Sequence, residues 1–282
     1  MPSTPGDEAQ GIRGRQLLRD RFVCIARRGN PLAKAHARAV LGWLESWDRR
    51  VVNGRRVLEL EMSKADQLTA LRAAGIEVPR TVAVAGRADL AEAARKFSAP
   101  FIVKHNQGGK GLGVRSFESV EDLAEYLDSP DYEPPVDGIT LVQEYLQAAE
   151  PFITRVEIVG GELVYAITAD TARGGFELCP ADACSVDQAA NGNAHGSPES
   201  LFALREGFDH PIVGQYLEFA RRHGVEIAGF EFIETWDGRV VTYDVNTNTN
   251  YNPQIDASAP HSGPGQVARF IRKLLDEAEG GH

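Results

Sequence analysis

Two carboxylates and one carboxamide, Glu231, Asp244 and Asn246, stand at spacings that suit a hard divalent cation. They lie in GFEFIETWDGRVVTYDVNTNTNYN, residues 229–252, where two runs rich in β-branched and aromatic residues flank Asp237-Gly238. That dipeptide is the strongest short-range signal for a hairpin. A two-residue turn sets Trp236 opposite Arg239, and the same register carried along the ladder sets Glu231 opposite Asp244. Side chains alternate along a strand, so Asn246 falls on their face, with Phe230, Phe232, Tyr243 and Val245 on the other. Directly opposed like charges destabilise a sheet. A cation between them removes the repulsion; Mg²⁺ takes one or two carboxylates and fills its shell with water and phosphate oxygens. The competing reading pairs one carboxylate with an arginine, or makes the turn longer so that the register slips by one.

A second candidate is HNQGGKGLG, residues 105–113, with Gly108, Gly109, Gly111 and Gly113 around Lys110 and with Gln107 before them. The P-loop is excluded because it requires Ser or Thr after its lysine and a helix after its glycines. The dinucleotide fingerprint also requires a helix, whereas VRSF reads as a strand. What remains is strand, glycine-rich turn, strand: exposed backbone amides able to close over phosphates, with Lys104 and Lys110 as countercharges. The alternative is a plain surface loop.

Arg155 alternates with Val156 and Ile158 in FITRVEIV and so projects from the opposite face. It suits charged oxygens of a transferring phosphoryl group, or else a pairing with its same-face neighbour Glu157. LVQEYL, residues 141–146, offers backbone groups to a purine edge, with Glu150 near enough in sequence to reach a ribose; the alternative is a plain strand. Cys179 and Cys184 have no matching Cys or His pair and read as thiols rather than metal ligands.

The elements that must position these residues read as follows. RFVCIA is a strand, PLAKAHARAVLGWLESW a helix, and RRVVNGRRVLELE a strand–turn–strand about Asn53-Gly54. Ser63 caps a helix ended by Gly75. TVAVA and PFIVK are strands separated by the helix ADLAEAARKF; VRSF, the helix SVEDLAEYL capped by Ser119, and the strand ITLVQEYL follow. FITRVEIV and ELVYAITA form a hairpin about Gly160-Gly161, and a helix over 211–223 precedes the acidic hairpin. Helices alternating with strands early and hairpins later predict a mixed α/β or α+β architecture.

Of the 282 residues, 43% are hydrophobic and 25% charged, an ordinary globular balance. The net charge of −10 argues against a broad nucleic-acid surface. Cys24, Cys179 and Cys184 form no secreted disulfide framework, no apolar run reaches membrane-spanning length, and the N-terminus lacks a signal-peptide centre. These features predict a soluble, cytoplasmic protein with no membrane or nucleic-acid partner. They leave homo-oligomerisation open.

Several stretches then fall into one order: MSKADQLTALRAAGIEVPRT, PFIVKHNQGGKGLGV, LVQEYL, AGFEFIE and YDVN. Together they resemble an ATP-grasp enzyme of the RimK-type α-L-glutamate ligase branch. The resemblance implies an α+β ATP-grasp fold with ATP between two lobes. Residues 1–12 are expected to be disordered, 13–62 to form a shortened N-terminal subdomain, 63–145 the small lobe and 146–282 the large lobe. It implies that Lys64 and Lys104 contact nucleotide phosphates, that residues 107–113 cover them, and that Gln143–Leu146 form the adenine hinge. Arg155, with Lys110, would stand near the reacting phosphate, and Glu231, Asp244 and Asn246 would bind Mg²⁺, as two ions that Mn²⁺ can replace.

The implied activity is a carboxylate–amine ligase acting through an acyl phosphate on an amino acid or short peptide. A small-molecule kinase, a non-catalytic ATP sensor and a structural protein are the rivals. Two departures stand out. Ile153 occupies the position of a ribose-binding Asp, and GGFELCPADAC, residues 174–184, places Glu177 and Asp182 where glutamate ligases carry basic residues. The substrate therefore does not transfer with the resemblance.

Overall fold

A computed structural model describes residues 31–108, 113–174 and 201–280. The expected strand RFVCIA, the N-terminal twelve residues, Gly109, Lys110, Gly111 and all three cysteines lie outside the described residues.

Helices α1 (Pro31–Ser46), α2 (Arg55–Met62) and α3 (Lys64–Ala73) come first. The strand–turn–strand expected over 49–61 is corrected: Asn53 makes the turn with φ 53°, but residues 55–62 are helical. The alternation of apolar and polar residues in VLELEM suggested a strand, yet apart from Val57 these are good helix formers. The helix serves two cores at once. Val57 and Leu60 join the core under α3, while Leu58 and Met62 join Leu41 and Leu44 of α1. Ser63 then caps α3 as expected, accepting from the Asp66 N–H at 3.2 Å, and Gly75 terminates it at φ 81°.

The first sheet contains β1 (Thr81–Ala85), β2 (Phe101–His105), β3 (Arg115–Phe117) and β4 (Ile139–Glu144), antiparallel in the order β1-β4-β2-β3. The short helix α4 (Leu90–Ala94) and α5 (Val120–Asp128), capped by Ser119, cover it through Leu90, Ala94, Leu123 and Leu127. The second sheet has the order β7-β6-β5-β8-β9. Its strands are β5 (Phe152–Val159), β6 (Glu162–Asp170), β7 (Phe202–Leu204), β8 (Ile227–Glu234) and β9 (Val240–Asn246). Gly160 and Gly161, at φ 62° and 83°, supply the two left-handed residues of the β5–β6 turn. α6 (Thr171–Gly174) follows β6, and α7 (Ile212–His223) precedes β8.

One face of the second sheet buries Val156, Phe230, Phe232 and Val245 against Leu68 and Leu71 of α3 and Tyr216 and Phe219 of α7. The other face carries Ile153, Tyr165 and Ile167 against Ile255 of α8 (Pro253–Ser258) and Val267 of α9 (Gly263–Gly280). Among the described residues, no helix is long and apolar enough to cross a membrane.

The acidic hairpin forms, with two corrections that cancel. The loop is Trp236-Asp237-Gly238, three residues rather than two: Thr235 N–H donates to the Arg239 carbonyl at 2.9 Å, and Gly238 takes the left-handed position at φ 84°. The Thr235 hydroxyl also accepts the Arg239 N–H at 3.0 Å, which favours the longer loop. The register near the turn therefore slips by one, giving Phe232 opposite Thr242. A bulge at Tyr243 restores it, and Glu231 does face Asp244. As the extra residue, Tyr243 turns to the carboxylate face instead of joining Phe230, Phe232 and Val245.

Candidate active site

Glu231 Oε1 accepts from Arg155 Nη1 at 2.9 Å and from Asn246 Nδ2 at 3.0 Å, and its Oε2 accepts from the Tyr243 hydroxyl at 2.9 Å. Asp244 Oδ1 accepts from Lys64 Nζ at 2.5 Å. The carboxylates converge with Asn246, and one of them pairs with an arginine, as the competing reading expects. Burial raises the Glu231 carboxyl, with Arg155 opposing and Asp244 reinforcing the rise. Burial also pushes Asp244 upward, but Lys64, with Lys104 and Arg155, outweighs it and holds Asp244 below the usual carboxylate range.

The donors here are oxygens from two carboxylates and an amide, the chemistry that Mg²⁺ selects. Among the described residues, no group of three or more His, Cys, Asp or Glu side chains is gathered to hold a metal. The smaller set fits an ion that draws its remaining ligands from phosphate and water. Protein cations, Lys64 and Arg155, balance the carboxylates here.

The first helices hold this set in place. Gln67 of α3 pairs with the backbone of Val245 on edge strand β9, accepting its N–H at 2.9 Å and donating to its carbonyl at 2.7 Å. Glu61 accepts the Thr247 N–H and hydroxyl, both at 2.8 Å, and Asn53 Nδ2 donates to the Thr247 carbonyl at 3.0 Å. Asp244, Val245 and Thr247 are therefore gripped by side chains from 53–67. Gln67→Leu should destabilise the fold by about 2 kcal/mol or more, since the buried Val245 amide and carbonyl lose their partner. Chemical denaturation with an unchanged midpoint would refute this clamp.

Lys104, the penultimate residue of β2, lies in the same region, only 6% exposed, and among the described residues its ammonium has no hydrogen-bond or ion-pair partner. Burial, followed by the charge of Lys64, lowers its pKa to about 7, while Asp244 and Glu231 oppose the fall. Asn106 fixes the two lysines relative to each other: its carbonyl accepts from Lys64 N–H at 3.2 Å and its Oδ1 from Ala65 N–H at 2.8 Å. In the glycine loop, Gln107 Oε1 accepts from Lys34 at 2.9 Å, Gly108 closes one described edge, and Gly113 opens the other at φ 75°. A Cβ at Gly113 would lie 3.2 Å from the His105 ring, so close approach as well as φ calls for glycine.

Residues 143–146 stand where the first sheet ends and the chain crosses to the second. Gln143 is buried between Thr81 and Ile102. Glu144 accepts from Arg80 N–H at 2.8 Å and from Arg239 at 3.3 Å, Tyr145 is exposed, and Leu146 is half-buried. Glu150 is exposed beyond the crossing. The intervening segment is tied to the acidic hairpin by Trp236 N–H to the Gln147 carbonyl at 3.1 Å.

Lys64 of α3 thus meets Asp244 of the second sheet, and Lys104 of the first sheet lies in the field of Asp244 and Glu231. A family profile described as the RimK-like ATP-grasp domain matches residues 62–179. The chain superposes on the ATP-grasp ligase PsnB, solved with a minimal precursor, at TM-score 0.58 and 18% identity over 96% of this chain and 76% of that one.

The fold is ATP-grasp.

A RimK domain ATP-grasp protein from Sphaerobacter thermophilus DSM 20745 gives TM-score 0.57 and 19% identity, covering 83% of this chain and 76% of its own. The D-alanine-D-alanine ligase from Coxiella burnetii gives 0.58 and 14%, covering 88% and 67%. No curated protein gives a significant match.

Several residues that hold this cluster are not legible in the sequence. Asn53, Glu61, Gln67 and Thr249 carry no local signal, because their partners lie about a hundred positions or more away. Strand alternation alone places Tyr243 on the apolar face, and only the bulge moves it.

Proposed function

We propose that this protein is an ATP- and Mg²⁺-dependent carboxylate–amine ligase acting on an amino acid or short peptide. The observation that carries the reading is the convergence of Glu231, Asp244 and Asn246 with Lys64 and Lys104 on an ATP-grasp fold. A PsnB complex solved with Mg and ADP, and ligases among the similar folds, support it.

Bound at Glu231, Asp244 and Asn246, Mg²⁺ would neutralise phosphate oxygens; we assign two ions there, replaceable by Mn²⁺. Lys64 and Lys104, with Lys110 of the glycine loop, balance the triphosphate, and Gly108, Gly109, Gly111, Gly113 and Gln107 cover it. Gln143, Glu144, Tyr145 and Leu146 face the adenine, and Glu150 replaces the ribose carboxylate missing at Ile153. A substrate carboxylate oxygen attacks the γ-phosphorus, ADP leaves, and an acyl phosphate forms. An amine then attacks the acyl carbon, phosphate departs, and the amine loses a proton. Arg155 orients the oxygens of the transferring group, and exclusion of water protects the acyl phosphate.

A phosphate-release screen with ATP and Mg²⁺ against amino acids and short peptides tests the reading in the cytoplasmic setting we assign. Phosphate with an amide product supports it. A stable phosphorylated product would make the protein a kinase, and ATP binding without turnover a sensor.

A further inference from the structure

The Arg155 guanidinium sits between two carboxylates, and the mechanism above uses only one of them. Arg155 is 5% exposed and Glu157 1%, both on the site face of β5. Arg155 Nε donates to Glu157 Oε1 at 2.6 Å, Nη1 to Glu231 Oε1 at 2.9 Å, and Nη2 to the Thr249 hydroxyl at 2.7 Å. The single Thr249 proton goes to Glu157, whose oxygens lie at 2.9 and 2.8 Å. Glu157 thus grips the arginine twice, once directly and once through the loop that follows Asn246. Gly229 clears the space: a Cβ there would fall 2.5 Å from Arg155 Nε and 2.6 Å from Nη2.

We propose that Glu157 is a positioning residue that draws the Arg155 guanidinium away from exclusive pairing with Glu231, so that Glu231 keeps charge for a divalent cation. The shorter and doubly supported contact is to Glu157, and charge-assisted bonds of this kind dominate the local electrostatics. With Glu157 present, Lys64 and Arg155 face three carboxylates, Glu157, Glu231 and Asp244, and the paired set keeps a net negative charge that attracts a cation. Without it, Arg155 would neutralise Glu231 alone, and an incoming ion would have to break that pair. Nothing in the run FITRVEIV distinguishes this from a solvated strand pair; burial and the Gly229 clearance do.

The inference rests on Glu231, Asp244 and Asn246 being the metal ligands, and its test separates the two claims. Mg²⁺ is titrated into the full chain with a non-hydrolysable ATP analogue and followed by calorimetry, alongside thermal melts. Glu157→Gln should raise the Mg²⁺ midpoint about tenfold, within the range that outer partners of metal ligands contribute. Thr249→Val should raise it in the same direction by a smaller factor, and it serves alone if Glu157→Gln fails to fold. Midpoints equal to wild type in the folded variants, with only the melting temperature lowered, would overturn the proposal and leave Glu157 structural. Asp244→Asn is the control: if it too leaves Mg²⁺ binding unchanged, the metal assignment itself fails, whereas its loss beside unaffected Thr249→Val and Glu157→Gln removes only the role of Glu157.

Discussion

Asp244→Asn is expected to lower turnover by at least about 100-fold while the chain remains folded. The substitution keeps the shape and one oxygen but removes the charge that Mg²⁺ needs, and even indirect support of metal ligands is worth up to about 100-fold in activity. Packing changes little, because Asp244 lies on the site face and pairs with Lys64 rather than with the core. The Lys64 ammonium loses that partner, so a small drop in melting temperature accompanies the loss. Steady-state turnover of a folded Asp244→Asn variant within a few-fold of wild type would contradict the metal assignment.

The second large effect belongs to Lys104. Its pKa is lowered to about 7 chiefly by burial and then by Lys64, so above neutral pH the nucleotide-free site holds it mostly uncharged. A triphosphate beside it favours the ammonium, so ATP binding at pH 8 should take up a proton. Calorimetry in buffers of different ionisation enthalpy reads that uptake directly. Lys104→Met should abolish it and, at pH 6.5, weaken ATP binding about 10- to 100-fold, the range of a bond to a charged group. The gap between variant and wild type narrows as pH rises, because wild type must then first protonate. Proton uptake equal in Lys104→Met and wild type would remove the lysine from the phosphate site. The linkage to folding has a definite sign. The unfolded lysine titrates near 10.5, so between about 7 and 10.5 the unfolded chain holds the extra proton, and this group's contribution to stability rises with pH.

Local signals carried much of the fold. Ser63 and Ser119 cap their helices, Gly75 ends one, Gly160-Gly161 turns the β5–β6 hairpin, and Asp237-Gly238 marks another. Each depends on one or two residues acting on their own backbone, so sequence suffices. The facing of Glu231 and Asp244 was also legible, though by way of a shorter turn and an unbroken ladder. The longer loop and the Tyr243 bulge compensate because both act on the same strand pair.

The sequence by itself determined the residue types of the site, their order along an ATP-grasp chain, and the strands that carry them. Only the tertiary structure decided that residues 55–62 are helical, since a helix that serves two cores at once leaves an ambiguous apolar pattern over eight residues. It also decided which partners hold the site across elements: Gln67 on Val245, Glu61 on Thr247, Glu157 on Thr249. Those side chains act across packed elements, where burial turns an unremarkable Gln or Glu into an obligatory partner. Periodicity reports which face a residue occupies, and only packing reports what it meets there.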